Sequence, residues 1–230
     1  MTMQTALIIG ASRGLGLGLA KEYLERGWHV VGTVRGSAPT PLHELGERSG
    51  GQLEIETVDI NDPSLTAALW QRLANRRFDL LFVNAGISIK PEETIGQATD
   101  DTFIQVMLTN ALSPMRIVER FETAVPPDGT IAVMSSGLGS VAGNEVGGYE
   151  VYRASKASLN TLMRSFAARH AGDPRCLLLI APGWVRTDMG GPGALLDVET
   201  SIRGVVDTIA AQRGKPGLHY VNYQGQTVPW

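Results

Sequence analysis

A tyrosine and a lysine stand four residues apart in Tyr152-Arg153-Ala154-Ser155-Lys156. On a helix, positions i and i+4 share one face, so a phenol and an ammonium so placed can reach the same ligand. A free phenol titrates near ~10 and is a poor acid or base at neutral pH. A neighbouring ammonium favours the phenolate and brings it toward useful acidity. Tyr152 can then give a proton to a carbonyl oxygen as hydride arrives at the carbon, or take it back in oxidation. Taken alone, the pentapeptide reads more simply as a helix with a half-buried tyrosine and a solvated lysine. Two further polar positions bear on the choice. Ser135-Ser136 closes the apolar run 130–134, at the carboxyl end of a strand, where parallel sheets take their ligands. Ser136 would hold the substrate oxygen there, or merely cap a turn. Asn110 falls inside the helical pattern 100–122, where asparagine is intrinsically unfavourable. That points to a special hydrogen bond, such as one through a water to Lys156.

A second constellation suits phosphate. Gly10-Ala11-Ser12-Arg13-Gly14-Leu15-Gly16 directly follows the first apolar run and opens a helix. Glycines let a backbone turn tightly and approach a pyrophosphate, and a helix start offers free N–H groups and a positive dipole end. The spacing is Gly-x3-Gly-x-Gly; a plain tight turn has the same composition, but the place between strand and helix favours a dinucleotide. The end of the second strand reads Thr33-Val34-Arg35, where an acid would mark NAD. Arg35 and Arg13 together suit the 2′-phosphate of NADP(H) through planar, charge-assisted hydrogen bonds, although each alone is ordinary solvated surface. Asp59 and Ile60 end the third strand; Asp59 would meet an adenine amino group or serve as a turn residue, with Asn61 and Asp62 also available as caps. Asn84-Ala85-Gly86 ends the fourth strand as a turn against the cofactor cleft.

The elements that must position these groups alternate. Apolar runs at 6–9, 29–34, 53–58, 78–83, 130–134, 176–180 and 218–221 read as strands. Helical patterns lie near 15–26, 40–48, 63–75, 100–122, 152–170 and 199–213. Strand–helix repetition with near-continuous apolar strands predicts an α/β Rossmann fold, a doubly wound parallel sheet with helices on both faces. No linker or repeat divides the 230 residues, so residues 1–230 are expected to form one domain. The Gly- and Pro-rich stretches 137–148 and 182–193 read as functional loops.

Composition excludes several roles. A net charge of −3 gives no case for nucleic-acid or anionic-membrane binding. No apolar run approaches the ~18 residues of a spanning helix, and the start lacks the features of a secretory signal. A cytoplasmic protein acting on a small molecule is expected. The single cysteine, Cys176, sits among Leu177, Leu178, Leu179 and Ile180 and reads as a buried small hydrophobe.

Taken together, these motifs resemble the short-chain dehydrogenase/reductase family, over nearly the whole chain. The resemblance rests on Gly10-x3-Gly14-x-Gly16, Asn84-Ala85-Gly86, Asn110, Ser135-Ser136, Tyr152-x3-Lys156 and Pro182-Gly183, in that order. It implies an Asn110–Ser136–Tyr152–Lys156 tetrad, a seven-stranded parallel sheet, and Val185 and Thr187 touching the nicotinamide carboxamide. Lys156 would also reach the nicotinamide ribose. One spacing departs from the family: Ser136 lies sixteen residues before Tyr152 and thirteen before Tyr149, whereas thirteen is usual. Tyr149 is followed at i+4 by Arg153, whose fixed fork does not replace a lysine ammonium, so Tyr152 is assigned and 143–150 carries a small insertion. That insertion and the ending Gly225-Gln226-Thr227-Val228-Pro229-Trp230 look like the sniffer-like and C-signal-like carbonyl reductases. The function so implied is NADPH-dependent reduction of an aldehyde, ketone or quinone. Alcohol oxidation uses the same residues, and a cofactor-bound signalling protein with vestigial catalytic groups is the rival. The substrate pocket is expected from 87–97, 137–149 and 184–196, with Trp184 and Val141 for apolar contact, beneath a small lid. Helices 100–122 and 152–170 would offer the surface for a homodimer or homotetramer.

Overall fold

The computed structural model describes residues 3–88 and 94–230. The seven apolar runs become β1 (Thr5–Ile9), β2 (His29–Val34), β3 (Leu53–Thr57), β4 (Leu80–Val83), β5 (Thr130–Met134), β6 (Cys176–Ala181) and β7 (Gly217–Asn222). All pair in parallel in one sheet of order β3-β2-β1-β4-β5-β6-β7. Strand side chains alternate faces, so Ala6, Ile8, Val30 and Phe82 join one core and Leu7, Ile9, Val31 and Val83 the other. Helices α1 (Gly14–Glu25), α2 (Pro41–Arg48) and α7 (Val198–Gln212) cover the first face through Leu19, Leu42 and Val205. Helices α3 (Pro63–Leu73), α5 (Ser113–Phe121) and α6 (Glu150–Arg169) cover the second through Leu69, Phe121 and Phe166. Burying each such side chain contributes about 1.5–3 kcal/mol. Cys176 lies within β6, 1% exposed, and burial pushes its thiol up to about 11, so it remains an uncharged core group. Among the described residues, no helix is long and apolar enough to cross a membrane.

Strand order reverses between β1 and β4, where Ile9 pairs with Val83. The crevice outside the carboxyl ends of two such strands is where open α/β sheets bind ligands. Helix α1 crosses this end of β1 so closely that a Cβ on Gly16 would fall 2.0 Å from the Gly10 carbonyl oxygen.

The pattern 100–122 is not one regular helix. Helix α4 (Asp100–Met107) passes through a π-helical turn, Leu108–Leu112, into α5. Pro114 explains the break: it lacks the N–H that an α-helix would direct to the Asn110 carbonyl, and its ring crowds that oxygen. The wider turn, closed by Ser113 N–H on Leu108 O, absorbs the conflict at Asn110 itself. Helix α6 begins at Glu150, two residues earlier than expected, behind Tyr149 at φ 53°.

Two stability outcomes follow from this packing. At Gly16 an added methyl would meet main chain, so Gly16→Ala is expected to cost about 3 kcal/mol in urea unfolding. Gly36→Ala, with open space around it, should stay within about 0.5 kcal/mol of the parent; equal midpoints for both would refute the close crossing. The Tyr23 ring is 2% exposed, and its hydroxyl has no hydrogen-bond partner among the described residues. An unpaired buried hydroxyl costs about 1–3 kcal/mol, so Tyr23→Phe should raise the calorimetric Tm by about 2–4 °C per kcal/mol recovered. A lowered Tm would show that the hydroxyl is satisfied.

Candidate active site

Turns leaving the carboxyl ends of β1 to β6 lie along one edge of the sheet, and they carry most of the groups singled out above. Between β1 and α1, Gly10 (φ 86°) and Gly14 (φ 55°) take left-handed backbone that glycine adopts at little cost. Thr33 of β2 holds this turn: its Oγ1 accepts the Gly10 N–H at 2.9 Å and its carbonyl accepts the Ala11 N–H at 2.8 Å. Asn84 Nδ2 donates to the Gly10 carbonyl at 2.8 Å, and a Cβ on Gly10 would meet Ala85 at 3.0 Å. Asn84-Ala85-Gly86 is thus a strut against the glycine turn. Asp62, Thr99 and Asp197 cap α3, α4 and α7 with side-chain oxygens, whereas Arg13 at the start of α1 supplies none and the first turn holds no acid. The N–H groups of Gly14, Leu15 and Gly16 therefore lack a side-chain partner at the positive end of the helix dipole, beside Ser12. That arrangement accepts an anion.

Arg35 is exposed immediately beyond β2. Arg13 Nη1 pairs with Asp188 Oδ2 at 2.6 Å, with both side chains about three-quarters exposed. Such a pair is worth about 0–1 kcal/mol, so a doubly charged phosphate can displace the carboxylate. Asp59 accepts the Asn61 N–H at 2.9 Å, while Asp62 takes the helix cap. Ile60 is buried in the core. Asn61, considered above only as a cap, donates to Thr109 Oγ1 at 2.9 Å and accepts from Ser113 Oγ at 2.8 Å. It ties the β3 turn to the π-helical turn on both sides of Asn110.

Asn110 is fully buried. Its Oδ1 accepts the Ile87 N–H at 2.8 Å, and its Nδ2 donates to the Ile87 carbonyl at 2.8 Å and to Ser155 Oγ at 3.0 Å. The side chain is thus spent on bracing the segment after Gly86 against α6. Lys156, 3% exposed, donates to the Met134 carbonyl at 2.9 Å, and burial lowers it to about 8. A Cβ on Gly86 would lie 3.3 Å from Asn110 Oδ1 and 3.5 Å from Lys156 Nζ, so the glycine leaves room where the two approach.

Ser136 Oγ accepts the Leu138 N–H at 3.1 Å and lies near the Tyr152 phenol. Burial pushes Tyr152 up to about 12; the neighbouring Ser136 side chain opposes the rise and nearby Tyr220 adds to it. This corrects the expectation that Lys156 lowers the phenol: its ammonium is turned to Met134, 5.8 Å from the centre of the Tyr152 ring. Tyr149 heads the helix in left-handed backbone, whereas Tyr152 lies within the helix, near Ser136. Arg153 is buried and fastens the insertion, its Nε and Nη2 donating to the Gly148 and Gly147 carbonyls at 2.9 and 3.0 Å.

Beyond β6, the Pro182 carbonyl accepts from Ser201 Oγ at 2.7 Å, and Gly183 turns at φ 84°. Val185 is buried and bridges to Leu196. Thr187 Oγ1 accepts the Gly190 N–H at 3.1 Å, and its methyl lies 3.6 Å from where a Gly14 Cβ would stand. The lid thus reaches the glycine turn. Trp184, half exposed, donates to the Gly190 carbonyl at 2.8 Å, and Val141, Met189 and Leu195 expose apolar surface. Of the expected pocket wall 87–97, residues 89–93 lie outside the described residues. Sequence reasoning gave no role to Ser155, Asn160 or Tyr220, and singled out Ser135 only together with Ser136 at the strand end. The signal for Asn160 was its place one helical turn beyond Lys156; for Tyr220 there was none.

The family model for short chain dehydrogenases matches residues 4–193. A short-chain dehydrogenase/reductase from Burkholderia multivorans, crystallised with bound NADP, is 55% identical at a TM-score of 0.98, covering 100% of both chains. The carbonyl reductase Sniffer of D. melanogaster is 30% identical at a TM-score of 0.87, also covering 100% of both. C-signal of Myxococcus xanthus is 34% identical over 154 residues, 66% of this chain and 92% of that protein. The family match spans most of the chain and agrees with the sheet order, the glycine turn and the Tyr152–Lys156 helix: this protein belongs to the short-chain dehydrogenase/reductase family, alongside the C-signal and Sniffer-like carbonyl reductases.

Proposed function

We propose that the protein reduces a small carbonyl compound to an alcohol with NADPH. The observation that carries this reading is the placement of Tyr152 and Lys156 one turn apart on α6, with Lys156 buried and Ser136, at the close of β5, near the Tyr152 phenol. The glycine turn, the uncapped start of α1 and the placement of Arg13 and Arg35 fit the pyrophosphate and 2′-phosphate of NADP, which the Burkholderia relative binds. When bound, the cofactor supplies the hydride. The Ser136 hydroxyl and Tyr152 phenol would hold the carbonyl oxygen. As the carbon gains hydride, the C=O double bond becomes single and the oxygen takes the proton of Tyr152. The Lys156 ammonium would then stabilise the phenolate left behind. Val185 and Thr187 would face the nicotinamide carboxamide, with Asp59 near the adenine. The apolar side chains of Val141, Trp184, Met189 and Leu195 favour an apolar substrate.

The likeness to C-signal supports a second reading, a cofactor-bound signalling role with little turnover. Tyr152→Phe separates the two. Reduction should fall about 10²–10⁴-fold with NADPH affinity kept; a biological activity that survives this change would favour signalling.

Nucleotide fluorescence titration tests the cofactor. NADPH should bind more tightly than NADH, and Arg35→Glu should weaken NADPH by about tenfold or more, the loss of one charge-assisted hydrogen bond. Equal affinities would remove the case for the two arginines, and binding of neither nucleotide would overturn the reductase reading. Lys156 carries its charge below about pH 8 and loses it above, while Tyr152 keeps its proton to about 12. Reductive kcat/KM should therefore be level up to about pH 8 and then fall about tenfold per unit. A profile rising through this range would contradict the role given to Lys156.

A further inference from the structure

Ser136 can serve the reaction only if the main chain carrying it is fixed, and much of what fixes it comes from β7 and the segment after it. Tyr220 of β7 is 2% exposed, and its hydroxyl donates to the Ser136 carbonyl. Ser135 and Asn160 lie near that hydroxyl. Ser135 Oγ donates to Asn160 Oδ1 at 2.6 Å, and Asn160 Nδ2 donates to the Gly139 carbonyl at 3.2 Å. The turn 136–139 is thereby held from β5, α6 and β7 at once. It lies hard against α6, since a Cβ on Gly139 would come 2.9 Å from Lys156 Cβ.

Beyond β7 the chain turns at Gly225 and returns, with the Val228 N–H on the Tyr220 carbonyl at 2.8 Å. Trp230 then packs on the Tyr220 ring, centroids 5.4 Å apart, beneath the Arg164 guanidinium at 4.7 Å. The Trp230 main-chain oxygen accepts the Ala142 N–H at 3.0 Å. Ala142 opens the loop that ends at Arg153's anchors, Gly147 and Gly148, and that loop bears Val141 on the substrate side. Tyr220 thus reaches the catalytic turn and Trp230 reaches the substrate wall.

Resting on the reductase reading above, we propose that Tyr220 and Trp230 are positioning residues: Tyr220 sets Ser136 through its carbonyl, and Trp230 sets the loop 140–149 through Ala142. Their effects should divide accordingly. The Ser136 carbonyl also accepts the Gly139 N–H at 2.9 Å, so removing the Tyr220 hydroxyl loosens the turn without unfolding it. A small misplacement of a group acting on the transition state lowers kcat, whereas a loosened wall weakens substrate binding.

The test compares Tyr220→Phe, Trp230→Ala, Ser136→Ala and the double variant S136A/Y220F, with phenanthrenequinone as the probe carbonyl. NADPH titration and amide hydrogen exchange accompany each variant. For Tyr220→Phe, kcat should fall about tenfold with KM and NADPH affinity within about twofold of the parent. The double variant should be no slower than Ser136→Ala alone, because Tyr220 acts through Ser136. Trp230→Ala should raise KM several-fold with kcat largely kept. Exchange at Leu138, Gly139 and Ala142 should quicken while β4 and β5 stay protected. Multiplying losses in the double variant, or a Tyr220→Phe effect shared equally by NADPH binding, would mean general loosening and overturn the proposal. Unchanged exchange at 138–142 overturns it whatever the turnover. Absence of NADPH-dependent reduction in the parent protein, by contrast, would sink the reductase reading, leaving the anchoring to be decided by exchange alone.

Discussion

Lys156 is a buried amine whose hydrogen bond goes to a main-chain carbonyl, and no carboxylate lies among the causes of its lowered pKa. Burial without a countercharge disfavours the ammonium, so the fold tolerates a cost at this point that a leucine would not impose. The surrounding groups make sense as the frame for that amine. Gly86 and Gly139 leave space on two sides, where a Cβ would come within 3.5 Å of Nζ or 2.9 Å of Lys156 Cβ. Asn110 stands behind Gly86, and the β5 terminus supplies the acceptor. Helix α6, packed on a face of the sheet, thus carries a buried amine to the carboxyl end of β5.

The π-helical turn serves the same frame from the other side. Pro114 disturbs the regular ladder at Asn110, and Asn61, Thr109 and Ser113 secure the widened turn with side-chain hydrogen bonds. Buried polar groups linked in this way hold one geometry, since breaking any link leaves an unsatisfied partner. Asn110 can therefore brace Ile87 and Ser155 together. Local irregularity in the helix is matched to a fixed position for one side chain.

Much of this was legible in the sequence because it is written in local patterns. Continuous apolar runs gave all seven strands within two residues, and the glycine spacing placed the tight turn between β1 and α1, because both depend on neighbours close along the chain. The break at Pro114 was equally readable, since a proline inside a helical pattern must free the carbonyl four residues earlier; the long amphipathic pattern obscured it. What sequence could not reveal were contacts made by folding alone. Arg13 meets Asp188, Tyr220 meets Ser136, and Lys156 turns to Met134 rather than to Tyr152. A single side chain reaching a distant carbonyl leaves no periodic trace. The direction of the Tyr152 shift was missed for a related reason: burial outweighs a charge that points elsewhere.

The return of residues 226–228 has a consequence outside the catalytic cleft. β7 is the last strand of the sheet, and an open terminal strand offers its unpaired N–H and C=O groups to any other chain. Here Val221 bridges antiparallel to Thr227, and Asn222 and Tyr220 find main-chain partners in Gln226 and Val228. The second half of this border is hemmed by the protein's own backbone, which shortens the row of free groups that another molecule could pair with. Colloidal behaviour and the geometry around Ser136 thus draw on one short stretch, and a change that frays it exposes a sticky margin as it disturbs the turn after β5.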